Sequence, residues 1–256
     1  MSSSETRETV AVTYCVGLRL SAGLVLMADT RTNAGVDNVS VFPKLFHWSK
    51  PGERFLAVMT SGNLATAQAV ISLIDEAASG ADASRSILAA PSLFQAARLV
   101  GALLREEIGR QAELGAGGDA PFSSTLILAG QIVGQAPCLF LIYPEGNFIE
   151  AGVETPFFQI GETKYGRPIL TRVFDPEMRF DDAVKLLFVS FDSTMKTNLS
   201  VGMPLDLLVY RRDAFEPALR VRVDEGREAY AAIASGWGDA IRAAFAALPA
   251  AGLLPD

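Results

Sequence analysis

Histidine is nearly missing from this chain: one, His47 in KLFHWSK, occurs in 256 residues. A metal centre built on several imidazoles is therefore excluded. A Ser-His-Asp or Cys-His hydrolase would have to use His47, so a hydrolytic base is expected elsewhere. Cysteine is almost as scarce. Cys15 and Cys138 both lie in apolar runs, TYCVGL and APCLFLIY. They read as two small buried hydrophobes rather than a disulfide framework or metal site. Positive charge is in deficit, with 22 Lys and Arg against 29 Asp and Glu and a net charge of −7. An acidic chain without a basic run is a poor partner for nucleic acid or an anionic membrane surface. No apolar run approaches the roughly 20 residues of a membrane span. The start, MSSSETRETV, has neither the basic nor the apolar region of a secretory signal. The expected location is the cytoplasm. No cofactor is expected either: GAGGD, Gly115–Asp119, lacks the preceding strand and the spacing of a phosphate cradle, and reads as a flexible loop.

Apolar residues, by contrast, are plentiful at 50% of the chain. That suffices for one sizeable core, and no stretch reads as a linker. A single domain is expected over residues 13–256, preceded by an extension over 1–12. TYCVGLRL and LVLMAD flank SAG, a hairpin signal. TRTNAGVDN is polar and rich in turn residues. VFPKLFHW and RFLAVMTSG around PGE again read as strand, turn, strand. NLATAQAVISLIDEAAS then reads as a helix capped by Asn63. PSLFQAARLVGALLREEIGRQAE reads as another, with Leu93, Ala97, Val100, Leu103 and Leu104 on one face. SSTLILAGQI, PCLFLIYPEG and NFIEAGV return to strands. IGETKYGRPILTRV reads as a short helix and FDDAVKLLFVSFDSTMKTN as a strong one. Strands in PLDLLVYRRDAF and PALRVRV precede a last helix over about Asp224 to Ala247. Grouped strands and grouped helices predict an α+β protein rather than alternating βαβ units. Two face-to-face sheets with helices outside fit that order, and a single sheet is the alternative.

The hairpin brings chemistry together. If its strands pair normally, Thr13 at the start of the first lies beside Asp29 at the end of the second. Lys44, in the β-like run VFPKLF, comes from a neighbouring strand. Ser61 and Gly62 lead from a strand into the first helix. A threonine hydroxyl is a weak nucleophile unless a base takes its proton. The residue's own α-amine, if free, serves as that base, with an ordinary pKa of about 7.7–8.0. A nearby lysine cation favours the neutral amine, and Asp29 would hold that lysine charged and oriented. The Gly62 N–H, at a strand-to-helix junction, is placed to donate to a developing oxyanion. Singly, each residue has an ordinary structural explanation; in combination they form a catalytic set that needs no histidine.

At these residues the sequence resembles the proteasome β-subunit superfamily of N-terminal-nucleophile hydrolases. It is most similar to the bacterial branch called the ancestral β-subunit (Anbu), a relative of the HslV protease. The stretches that carry the resemblance are TYCVGLRLSAGLVLMADTRTNAG, TSGNLATAQAV, IGETKYGRPIL and DSTMKTNLSVGMPLDLLVY, from Thr13 to about Tyr210. The resemblance implies a four-layer αββα sandwich and amide hydrolysis through an acyl-enzyme. It implies Thr13 as nucleophile, Asp29 as its acidic partner, Lys44 as the lysine and Gly62 as oxyanion donor. Thr163, Asn198 and Ser200 are the nearest candidates for the superfamily's supporting polar residues. Where many proteasome subunits carry an aspartate near the end of that helix, this chain has Asn198. The resemblance further implies identical subunits assembled into a ring or spiral; nothing in the chain identifies an unfoldase partner.

Residues 1–12, MSSSETRETVAV, stand in the way, because an amide nitrogen within a chain is no base. Either the chain cleaves itself between Val12 and Thr13, or translation starts at Val12 and the initiating methionine is removed. The second route is expected, since the extension reads as unstructured polar sequence. Three functions are compatible with the residues: a threonine peptidase, an amidase of the same fold acting on a small amide, and a self-assembling scaffold without turnover.

Overall fold

The computed structural model describes residues 13–33, 39–80, 83–114 and 122–251. The extension over 1–12 and the GAGGD loop lie outside the described residues. Strands β1 (Tyr14–Leu20) and β2 (Gly23–Asp29) form the expected hairpin. They are followed by β3 (Arg31–Asn33), β4 (Val39–Val41), β5 (Leu45–Lys50) and β6 (Arg54–Gly62). Helices α1 (Leu64–Ser79) and α2 (Leu93–Leu114) come next. The middle holds β7 (Ser124–Ile132), β8 (Cys138–Ile142), β9 (Phe148–Glu150) and β10 (Phe157–Gly161). Helices α3 (Arg167–Val173) and α4 (Phe180–Met195) lead to β11 (Leu205–Arg211), β12 (Pro217–Val223) and α5 (Glu228–Ala246).

The strands form two five-stranded antiparallel sheets, β10-β1-β2-β11-β12 and β5-β6-β7-β8-β9, with β3 and β4 as a separate ribbon. Two sheets, not one, resolve the alternative left by the sequence. Alternation along the strands explains why they stack. Val25 and Met27 of β2 point to a core shared with α3, α4 and α5, while Leu24, Leu26 and Ala28 point between the sheets. In β6, Phe55, Ala57 and Met59 face the first sheet, whereas Leu56 and Val58 face α1 and α2. Three apolar layers thus separate four structural ones, giving the αββα sandwich. Each fully buried Leu or Met contributes about 1.5–3 kcal/mol, so strands with two apolar faces have one stable placement, between layers.

Helix starts follow local chemistry. Asn63 caps α1, its side chain accepting the Thr66 N–H at 3.1 Å. Ser92 does the same for α2 through the Gln95 N–H at 3.2 Å. The five apolar positions expected on one face of α2 are all buried.

Four local expectations differ. The polar TRTN segment is not only a turn: Arg31–Asn33 pairs with Val39–Val41. VFPKLF is not one strand, because Pro43 supplies no N–H and the chain breaks over 42–44 before β5. The start of IGETKYGRPILTRV is strand: Ile160 and Gly161 end β10, and helix begins only at Arg167, with Pro168 in its first turn. Cys138, expected buried, is half-buried at the start of β8.

Candidate active site

Asp29 ends β2 fully buried, and a buried carboxylate requires partners. It has three. Its Oδ1 accepts the Tyr14 N–H at 3.0 Å and Lys44 Nζ at 2.8 Å, and its Oδ2 accepts the Gly202 N–H at 3.5 Å. Burial pushes the Asp29 carboxyl above the usual range, and Lys44 with the two amides pulls it back. Lys44 is itself only 4% exposed and donates a second bond to the Arg31 carbonyl at 2.6 Å. Its backbone is fixed too, since its carbonyl accepts the Thr60 N–H of β6 at 3.0 Å. The pair therefore links both sheets at one end of the sandwich.

Thr13 immediately precedes β1, whose pairing with β2 sets Cys15 opposite Ala28. On its other side β1 pairs with β10, Tyr14 opposite Gly161. The Thr13 carbonyl accepts the Glu162 N–H at 2.6 Å. This close approach requires glycine before it: Gly161 has φ +82°, and a Cβ there would fall 1.8 Å from the Thr13 carbonyl oxygen. Gly62 is similarly constrained at the end of β6, with φ +108° and the Ser123 carbonyl 2.4 Å from the place of a Cβ. Thr13, Lys44, Ser61, Gly62, Arg31 and Thr32 line a cavity of about 20 Å³, room for one water-sized group.

A second ring of contacts locks this corner to the loop after α4. Thr30 donates both its N–H and its hydroxyl to the Pro204 carbonyl, at 3.1 and 2.7 Å. The Arg31 guanidinium donates to the Leu199 carbonyl at 3.0 Å and lies over Gly202, where any side chain would collide with it. Within the loop, Asn198 Oδ1 accepts the Ser200 N–H and Asn198 Nδ2 donates to Glu162 Oε2, both at 2.9 Å.

The structure thus places Thr13, Asp29, Lys44 and Gly62 together. Asn198 and Ser200 join this cluster through Glu162. Thr163 is half-buried on the turn after Glu162, one residue removed from the bond to Thr13. Sequence reasoning passed over Arg31 and Glu162, although both lie inside the quoted stretches TRTN and IGETKYG. The signal available for each was charge in an otherwise turn-like segment.

Two other polar groups near the cluster are structural. Burial pushes the Cys15 thiol far up, and Sγ donates to the Thr60 carbonyl, so it offers no thiolate. Tyr14, pushed up to about 12 by burial, shares its hydroxyl with Ser190 at 2.7 Å and Gln159 at 2.6 Å. His47 lies along β5 against Phe55 and away from the cavity lining; burial and Arg220 lower its pKa. Among the described residues, no group of three His, Cys, Asp or Glu is arranged to hold a metal ion. No described helix is long and apolar enough to cross a membrane.

Two packed antiparallel sheets between helical layers, with a threonine and a buried Asp–Lys pair at one end, define a proteasome-type architecture. The sequence profile of the family described as proteasome subunit matches residues 12–209. Comparison with curated proteins returns no match. Solved structures match closely. Anbu (ancestral beta-subunit) from Yersinia bercovieri is 43% identical, with 94% of this chain and all of that one covered and a TM-score of 0.88. An Anbu (Gly-1) mutant from Hyphomicrobium sp. strain MC1 is 48% identical over 93% of this chain and 98% of that one, with a TM-score of 0.85. The helical assembly of the Anbu complex from Pseudomonas aeruginosa is 44% identical over 94% and 99%, with a TM-score of 0.88. The chain belongs to the proteasome subunit family, in its ancestral β-subunit branch.

Proposed function

We propose that this protein is an N-terminal threonine hydrolase acting on peptide or related amide bonds, with Thr13 as nucleophile. The observation that carries this reading is the buried Asp29–Lys44 pair, bonded to the residue after Thr13 and opening on a cavity that Thr13 and Gly62 share. In a chain beginning at Thr13, the α-amine takes the proton of Oγ1 as Oγ1 bonds to the carbonyl carbon. The carbonyl oxygen becomes an oxyanion facing Gly62. The resulting ammonium returns its proton to the leaving nitrogen as the C–N bond breaks, leaving an ester on Thr13. Water, deprotonated by the same amine, then cleaves that ester. Lys44 favours the neutral amine that starts the cycle, and Asp29 keeps Lys44 charged and in place. Removal of one oxyanion donor typically costs about 10²–10³ in rate, which sets the scale for Gly62.

The mechanism requires Thr13 to be the first residue, reached by translation from Val12 or by cleavage after it. Intact mass of the protein from its native host tests this: a mass beginning at Thr13 is expected, and a stable chain beginning earlier overturns it. Activity is tested by incubating a chain that begins at Thr13 with peptide and small-amide libraries. Turnover lost in Thr13→Ala supports the reading; equal turnover in both contradicts it. We further infer self-assembly, with the cytoplasm as its setting. Ile241, Phe245 and Leu248, in and just after α5, leave large apolar side chains exposed, and a relative 44% identical is described as a helical assembly. Thr13→Ala should leave that assembly unchanged. A protein that assembles but never turns over substrate would be a scaffold of the same fold.

A further inference from the structure

Two acidic residues flank the Thr13 backbone, one from each neighbouring strand. Asp29 comes from β2 and is fully engaged by Lys44 and two backbone amides. Glu162 comes from the other side, directly after β10. Continuing the Tyr14–Gly161 pairing by one residue sets Glu162 across from Thr13, and the Glu162 N–H bonds the Thr13 carbonyl. Paired residues of this kind have β-carbons about 4.5–5.5 Å apart. Among the described residues the Glu162 carboxylate receives neutral donors, Asn198 Nδ2 at 2.9 Å and the Lys164 N–H at 3.1 Å, and forms no ion pair, so its charge is oriented without being neutralised by them. Asn198 is thus a clamp on a carboxylate supplied by another element.

We propose that Glu162, held by Asn198, is the electrostatic partner of the Thr13 α-amine. It stabilises the ammonium formed when the amine takes the hydroxyl proton, and neither gains nor loses a proton itself. Lys44 acts in the opposite sense on the resting amine. The inference rests on Thr13 as nucleophile and adds the group that balances the lysine. Among the described residues, the charged groups around Thr13 are Asp29 and Lys44, Arg31 on the cavity lining, and Glu162 with Lys164 close behind it. Lys196 at the end of α4 is paired with Asp192 at 2.7 Å.

An opposite charge within about 4–6 Å moves a pKa by roughly 1–3 units; for a half-buried carboxylate the low end, about one unit, applies. The test uses a chain that begins at Thr13, which retains every described element of the fold. The α-amine is titrated by competitive acetylation across pH, with mass spectrometry as readout, and no substrate is needed. Glu162→Gln should lower the midpoint by about one unit, Glu162→Asp should keep most of the wild-type value, and Asn198→Ala should lower it by less. The acid limb of kcat/KM should move with the midpoint. An unchanged midpoint in Glu162→Gln, or equal shifts in Glu162→Gln and Glu162→Asp, overturns the proposal. A normal wild-type titration in a chain that hydrolyses nothing would overturn the hydrolase reading instead.

Discussion

Replacing Asp29 by Asn perturbs the centre of the account while preserving shape. The amide oxygen can still accept the Tyr14 N–H, but Lys44 loses its counter-charge. Lys44 is 4% exposed, so the cation left behind is out of reach of bulk water. Breaking one side of a buried ion pair costs about 3–5 kcal/mol, because the remaining charge is uncompensated. For a domain of this size each kcal/mol at the midpoint corresponds to about 2–4 °C. Asp29→Asn should therefore lower Tm by roughly 6–20 °C, read by calorimetry at fixed protein concentration. Replacing Lys44 by Met as well removes the stranded charge, and the double variant should recover most of the loss. Hydrolysis should be lost in both. A loss of stability below about 1 kcal/mol in Asp29→Asn, or no recovery in the double variant, would refute the buried, charged pair.

Gly161→Ala should displace the start of β1, since the added methyl falls 1.8 Å from the Thr13 carbonyl at a positive φ; expected are a stability loss of about 1–3 kcal/mol and abolished turnover, checked by denaturation and peptide cleavage. Tyr14→Phe leaves Ser190 and Gln159 without their shared hydroxyl, and should cost about 1–3 kcal/mol by urea unfolding. Glu107, on the buried face of α2, is held below the usual carboxylate range by its bonds to Arg110. Its folded value is depressed, so its contribution is present above the unfolded value of about 4.3 and is lost as pH falls through the folded one. Glu107→Gln should flatten the decline of stability below pH 5, and an unchanged acid limb would count against this assignment.

The strands of the two sheets were legible because both faces of β1, β2 and β6 are apolar and end in turn residues, and α1 and α2 because Asn63 and Ser92 cap periodic runs. Thr13, Asp29 and Lys44 were legible because hairpin pairing alone brings the first two together. β10 was not. Its five residues gain their strand by pairing with the edge of β1, about 147 residues away in sequence where Tyr14 faces Gly161. Lys44 only precedes β5, because the chain leaves β4 at Val41 and Pro43 supplies no N–H to carry a strand across 42–44. Glu162 was passed over because a lone glutamate in a turn has no periodicity; only register across β1 and the reach of Asn198 give it a place.

The most direct test of the central claim is covalent. A chain beginning at Thr13, treated with a threonine-directed electrophile, should gain one adduct per subunit in its intact mass, mapped to Thr13 after digestion and absent from Thr13→Ala. A folded chain beginning at Thr13 that gains no adduct, or gains it elsewhere, would contradict the account.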